Sequence, residues 1–124
     1  MENNDYDSVI NKSRTLIEEV LCHIIEQKGE TPNDSGNIEK LQAQCRKLLN
    51  MTNSPNLDQR IKQLLSGLTS IISAISSLRN LGSDAHGVGS RRINIGDREA
   101  ILVSNAAQTY CEYYLSVFSH PNSQ

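Results

Sequence analysis

The chain is predicted to be an all-α, four-helix bundle with one long loop between its third and fourth helices. Three observations predict it. Apolar residues recur at helical spacing in four separate segments. Aromatics make up only 4% of the 124 residues, with no Trp and one Phe, so the core must be built from Leu, Ile, Val and Ala. Clusters of Gly, Pro, Asn, Asp and Ser fall between the periodic segments and mark the breaks. The length suits a single domain over 1–124, with its core at about 7–119 and a frayed tail at 120–124.

The first helix is predicted over roughly 7–28, with Val9, Ile10, Ser13, Ile17, Val20, Leu21, Ile24 and Ile25 on one face. Asp7 or Ser8 would cap it, and Lys28-Gly29 would stop it. Gly29 to Gly36 is turn chemistry throughout. Asn37 would cap the second helix, whose apolar face is Ile38, Leu41, Cys45, Leu48 and Leu49, ending near Asn50. Asn53-Ser54-Pro55-Asn56 forms the next break. The third helix is expected over about 57–80. Leu57, Ile61, Leu64, Leu65, Leu68, Ile71, Ile72, Ile75 and Leu78 mark one continuous apolar face, and small residues cover much of the remainder. Such a surface suits a neighbouring helix of the same chain or of a second copy. A loop is expected over Asn80–Gly96. Asp97 would cap the last helix, with Glu99 near its positive end. Its apolar side is Ala100, Ile101, Val103, Ala107, Tyr110, Cys111, Tyr114, Leu115 and Phe118.

The net charge of −2 argues against a broad electrostatic nucleic-acid surface, yet leaves room for a small phosphate site or one shared between two chains. The polar, acidic opening MENNDYDS is unlike a secretory signal. No apolar run is expected to cross a bilayer, so the expected setting is cytoplasmic with no membrane partner. Cys22, Cys45 and Cys111 are far apart and form no Cys-x-x-Cys pair, so all three are expected to be buried free thiols. No metal or cofactor is expected.

Leu78 to Gly89, LRNLGSDAHGVG, concentrates Arg79, Asn80, Asp84 and His86 among glycines where the longest apolar segment stops. Two readings of these residues stand side by side. In one, Arg79 complements a helix dipole, Gly82 caps the end and His86 bonds a backbone carbonyl. In the other, Arg79 and His86 face a phosphate.

Several segments resemble the abortive-infection C-terminal (Abi-C) family, grouped with the HEPN superfamily. Ser13-Arg14-Thr15-Leu16-Ile17-Glu18 looks like its opening helix, and Leu65-Ser66-Gly67-Leu68-Thr69-Ser70-Ile71-Ile72 its central helix. Arg79-Asn80 with Gly82 and Asp84-Ala85-His86-Gly87 is similar to its signature. Ala100 with Val103-Ser104-Asn105-Ala106-Ala107 resembles its last helix. The likeness spans about 13–118. It implies a HEPN-like four-helix bundle that forms a homodimer and carries an Arg-x(4–6)-His ribonuclease motif, which Arg79 and His86 fit at the long end of the range. Phage defence (abortive infection) or a toxin–antitoxin pair is the implied setting. Abi-C domains commonly end a longer protein, so an antitoxin or an upstream defence domain is a further expected partner.

The chemistry suits those residues. A neutral His takes a proton from an RNA 2′-hydroxyl near neutral pH. An Arg fork holds phosphate oxygens as charge develops. The expected catalytic set is Arg79, His86, Asn80 and Asp84, with Asn80 and Asp84 positioning the pair. Gly87 would let backbone approach the RNA phosphate, and Arg91 and Arg92 would either contact RNA backbone or be solvated. The competing reading keeps the same loop as a non-catalytic sensor of nucleotide or nucleic acid, or leaves the helices to serve dimerisation alone. Arg14 and Glu18 would pair one turn apart. Tyr110, Tyr113 and Tyr114 would either pack in the core or stack bases. His23 and His120 have no assigned role.

Overall fold

A computed structural model describes residues 6–33, 37–51, 58–83 and 96–120, with residues 79–83 as backbone only. The described residues form four helices: α1 (Tyr6–Gln27), α2 (Ile38–Leu48), α3 (Gln59–Ser83) and α4 (Asp97–Ser119). The predicted class and helix count agree with this.

Local chemistry explains the boundaries. Gly29 adopts φ 86° after α1, where its N–H donates to the Glu26 carbonyl and that of Glu30 to the Ile25 carbonyl. These two bonds close the helix with the left-handed residue that glycine adopts without steric penalty. The α2 end repeats the device with Asn50 at φ 59°, as Asn50 N–H bonds the Lys47 carbonyl and Met51 N–H the Arg46 carbonyl. At the α2 start, Asn37 Oδ1 accepts from the Lys40 N–H at 3.0 Å, the predicted cap. Gln44 holds the α1–α2 connection, accepting from Asn33 N–H at 2.8 Å and donating to the Thr31 carbonyl at 3.0 Å.

Other boundaries differ from expectation. The α1 helix begins at Tyr6, before both suggested caps. The α3 helix starts at Gln59, where Asp58 Oδ1 accepts from the Arg60 N–H at 2.7 Å. It continues to Ser83, so Asn80 and Gly82 belong to the helix and the expected loop is shorter at its start. One glycine costs only about 1 kcal/mol in a helix interior, too little to stop a long helix by itself. Gly96, and not Asp97, is the cap residue of α4. Glu99 Oε1 accepts from the Gly96 N–H at 3.1 Å, while the Asp97 carboxylate is occupied elsewhere.

The core is aliphatic, as the composition requires. Ile17, Leu21, Ile24 and Ile25 of α1 meet Ile38, Leu41 and Cys45 of α2, Ile72 and Ile75 of α3, and Val103, Ala107, Tyr110, Cys111 and Tyr114 of α4. Each full burial of such a side chain contributes roughly 1.5–3 kcal/mol. Three contacts set α1 parallel to α4. Tyr6 hydroxyl donates to Asp97 Oδ1, Cys111 Sγ lies 4.0 Å from the Leu16 carbonyl, and His23 meets Phe118 edge-on.

The apolar face expected of α3 is only partly buried. Ile72 and Ile75 enter the core, whereas Ile61, Leu64 and Ile71 are 41%, 67% and 42% exposed. The apolar arc on this helix is wider than one packing seam, so its flank remains outside. Ile101 and Leu115 of α4 are likewise exposed, and Leu57 lies outside the described residues. Contrary to expectation, Gln59–Leu78 is long and apolar enough to cross a membrane by length and composition, with mean hydropathy 1.2. Cys45 and Cys111 are buried free thiols as expected, but Cys22 is only half-buried at the edge of the core.

Candidate functional site

The sequence-predicted site divides across the end of α3 and the segment that follows it. Arg79 and Asn80 stand in the last turns of α3. They follow Ile72 and Ile75, which anchor that helix in the core. A helix fixed by its preceding turns is a firm base for a phosphate-binding side chain. Asp84, His86, Gly87, Arg91 and Arg92 lie outside the described residues.

The far border of the site is the start of α4, and the structure shows how it is held. The Tyr6 hydroxyl donates to Asp97 Oδ1 at 2.6 Å, tying the first turn of α1 to the first turn of α4. That bond holds the Tyr6 hydroxyl above the ordinary tyrosine range, with slight desolvation and the Asp97 charge adding to it. Asp97 and Glu99 also place two carboxylates at the positive end of α4. The segment bearing His86 therefore joins the end of α3 to the start of α4, which Tyr6 ties to α1. Sequence reasoning missed Tyr6, because a tyrosine 91 residues from its partner leaves no local signal.

Other candidates settle into structural roles. Arg14 pairs with Glu18 at 3.5 Å on α1, the ordinary i,i+4 contact. Tyr110 and Tyr114 are buried with ring centroids 4.3 Å apart, so base stacking is closed to them. Tyr110 donates to Gln42 Oε1 at 2.8 Å, and Gln42 Nε2 reaches Ser73 Oγ at 3.4 Å. This polar chain, buried at Tyr110 and Gln42 and half-buried at Ser73, joins α4, α2 and α3. Tyr113 is 37% exposed and packs edge-on against Tyr114. Burial pushes the Cys45 thiol up to about 12 and the Cys111 thiol up to about 11, so neither is a nucleophile near neutral pH.

Four helices, with an Arg-Asn pair in the last turns of the third, define a small all-α bundle. The Abi_C family model, described as a HEPN-like domain, matches residues 1–118. The chain belongs to that family. No curated protein and no solved structure shows significant similarity to it.

Proposed function

We propose that this chain is a metal-independent endoribonuclease of a phage-defence or toxin–antitoxin system, acting as a cytoplasmic homodimer. Membership of the HEPN-like family supports a defence role. The observation that carries the catalytic reading is the placement of Arg79 in the last turns of a core-anchored helix, with His86 six residues beyond Asn80 toward the pinned start of α4.

The reaction needs no group beyond the chain and the RNA. Neutral His86 takes the proton of a 2′-hydroxyl, and the freed oxygen attacks the adjacent phosphorus. The bond from phosphorus to the 5′-oxygen breaks, and that oxygen leaves with a proton from a protonated His86. The products are a 2′,3′-cyclic phosphate and a 5′-hydroxyl. Arg79 spreads its donors over the phosphate oxygens as negative charge builds. Asn80 and Asp84 position the pair, and Gly87, Arg91 and Arg92 bind the RNA backbone. A homodimer supplies two such pairs, one His accepting and the other donating.

The test is cleavage of a labelled RNA in EDTA by wild type, His86→Ala and Arg79→Lys, with helicity followed by circular dichroism. Cleavage by wild type alone, leaving cyclic-phosphate ends, supports the assignment. Equal cleavage by folded His86→Ala, or none by any of the proteins, would move the assignment to a nucleotide-sensing or dimerisation module.

A further inference from the structure

A groove of about 900 Å³ runs along the outer face of α2, between that helix and the connection from α1. Lys40, Ala43 and Lys47 form its floor, and Glu30 and Asn33 its wall. Leu48, half-buried, adds an apolar edge.

One side chain holds the wall in place. Gln44 Oε1 accepts from the Asn33 N–H at 2.8 Å, and Gln44 Nε2 donates to the Thr31 carbonyl at 3.0 Å and to Glu30 Oε1 at 3.2 Å. A glutamine amide has two donor hydrogens and one carbonyl. Gln44 therefore commits both donors and its oxygen to fixing the connection against α2. A wall fixed in advance loses little freedom when a ligand arrives.

The floor is charged and unpaired. Lys40, Ala43 and Lys47 are all exposed. The two lysines are seven residues apart, so they share one side of the helix, roughly 20° apart around it and roughly 10 Å apart along it. Neither lies within salt-bridge distance of a carboxylate among the described residues. Lys47 stands in the last turn of α2, where a cation complements the helix dipole. That reason fails for Lys40, whose N–H is capped by Asn37 in the first turn, at the positive end of the helix. A cation is thus placed against local preference with no partner in its own chain, a departure of the kind that collects at functional positions.

We propose that this groove docks an acidic peptide segment of a partner protein, lying extended along α2 with carboxylates at Lys40 and Lys47. Carboxylates four residues apart on an extended strand share a face and lie about 13 Å apart, within reach of two flexible lysine stems. The pattern of charge favours a peptide over a nucleic-acid strand. Two cations face one carboxylate, Glu30, across the groove. A phosphate backbone is charged at every nucleotide and would meet Glu30 as well as the lysines. A peptide can offer acids to the lysines and a neutral or basic residue to Glu30. None of the described lining residues is aromatic, so a base has no ring to stack on. The Asn33 amide and Leu48 suit a peptide main chain and an apolar side chain instead. This inference is independent of the ribonuclease reading and holds equally for a non-catalytic chain.

Amide chemical-shift mapping of the full chain tests it at low ionic strength, where exposed charges are least screened. The probe is a capped octapeptide with glutamates at its second and sixth positions, beside the same peptide with glutamines there. The acidic peptide should shift Asn33, Lys40, Ala43, Gln44 and Lys47, and the glutamine peptide should not. Lys40→Gln with Lys47→Gln should weaken binding at least about threefold, while Lys40→Arg with Lys47→Arg retains it. Lys12→Gln with Lys62→Gln makes the same charge change at exposed positions off the groove and should leave affinity unaltered. All these side chains are exposed, so unchanged circular dichroism is expected throughout. No shifts at millimolar peptide, or shifts centred elsewhere, would overturn the proposal. So would an equal loss in the off-groove variant. An oligouridylate of eight nucleotides that shifts the same residues at lower concentration than the peptide would also overturn it, and would assign the groove to RNA.

Discussion

Replacing Tyr110 by Phe removes the hydroxyl that links α4 to α2 inside the core and that also meets the Tyr114 hydroxyl. The ring stays, so its contact with Tyr114 at 4.3 Å is kept. The hydroxyl, which donates to Gln42 Oε1 at 2.8 Å and interacts with the Tyr114 hydroxyl, is lost, and a double-mutant cycle separates the two. Both residues are buried, at 0% and 1% exposure, so water cannot replace the donor without opening the bundle. A neutral hydrogen bond contributes about 1 kcal/mol net, and a stranded buried acceptor costs about 1–3 kcal/mol. Tyr110→Phe should therefore destabilise by about 1–3 kcal/mol. With 124 residues the unfolding entropy is roughly 260 cal/mol/K, so Tm should fall by roughly 4–12 °C. The assay is thermal unfolding by circular dichroism at one fixed protein concentration, because any self-association makes Tm concentration-dependent. A double-mutant cycle with Gln42→Leu completes it. In the Gln42→Leu background the same Tyr→Phe change should cost clearly less, because no stranded acceptor remains. A Tyr110→Phe protein within about 0.3 kcal/mol of wild type would refute a paired hydroxyl. Equal costs in both backgrounds would refute the pairing with Gln42.

Alkali should destabilise the bundle before any exposed group would account for it. Burial raises Cys45 to about 12 and Cys111 to about 11 from an ordinary 9.0, so unfolding releases protons above pH 9. Their stabilisation is complete below pH 9 and falls by roughly 1.4 kcal/mol per pH unit per thiol until the folded values are reached. The buried hydroxyls of Tyr110 and Tyr114, also raised, add to the loss above about pH 10. A Tm that stays level from pH 8.5 to 10.5 would contradict this. At the end of α2, Asn50→Ala should cost about 1 kcal/mol because its φ of 59° is left-handed, whereas Asn50→Gly should be tolerated. Equal urea midpoints for the two variants would show that the backbone there relaxes freely.

The legible parts of this fold were those written in local chemistry. Gly29 and Asn37 announce a helix end and a helix start because each acts on backbone within a few residues. The aliphatic periodicity of α1 and α2 marked their buried faces, since each packs through one narrow stripe. In α3 the same periodicity overstated burial, as Ile71 and Leu64 continue the pattern beyond the seam. Gln42 and Tyr110 form a buried pair that sequence alone does not announce. A glutamine on α2 looks like surface until a tyrosine 68 residues away supplies its donor.

The same distinction governs the site. Arg79 and Asn80 were legible as a motif because their spacing to His86 is a sequence property. The border that holds the motif was not, because Tyr6 and Asp97 meet only once α1 and α4 lie parallel. The bundle divides its labour accordingly. Charged residues run through α1 and α2, while Gln63–Leu78 of α3 and Ala100–Cys111 of α4 carry none. The Arg79–Asn80 pair stands where the uncharged run of α3 ends, at the last turns of that helix. A nearly neutral chain gains phosphate affinity by bringing two arginines together more readily than by covering its surface with them. On the proposed ribonuclease reading, the convergence of two Arg79–His86 pairs, and not the net charge, is the property that cleavage would depend on.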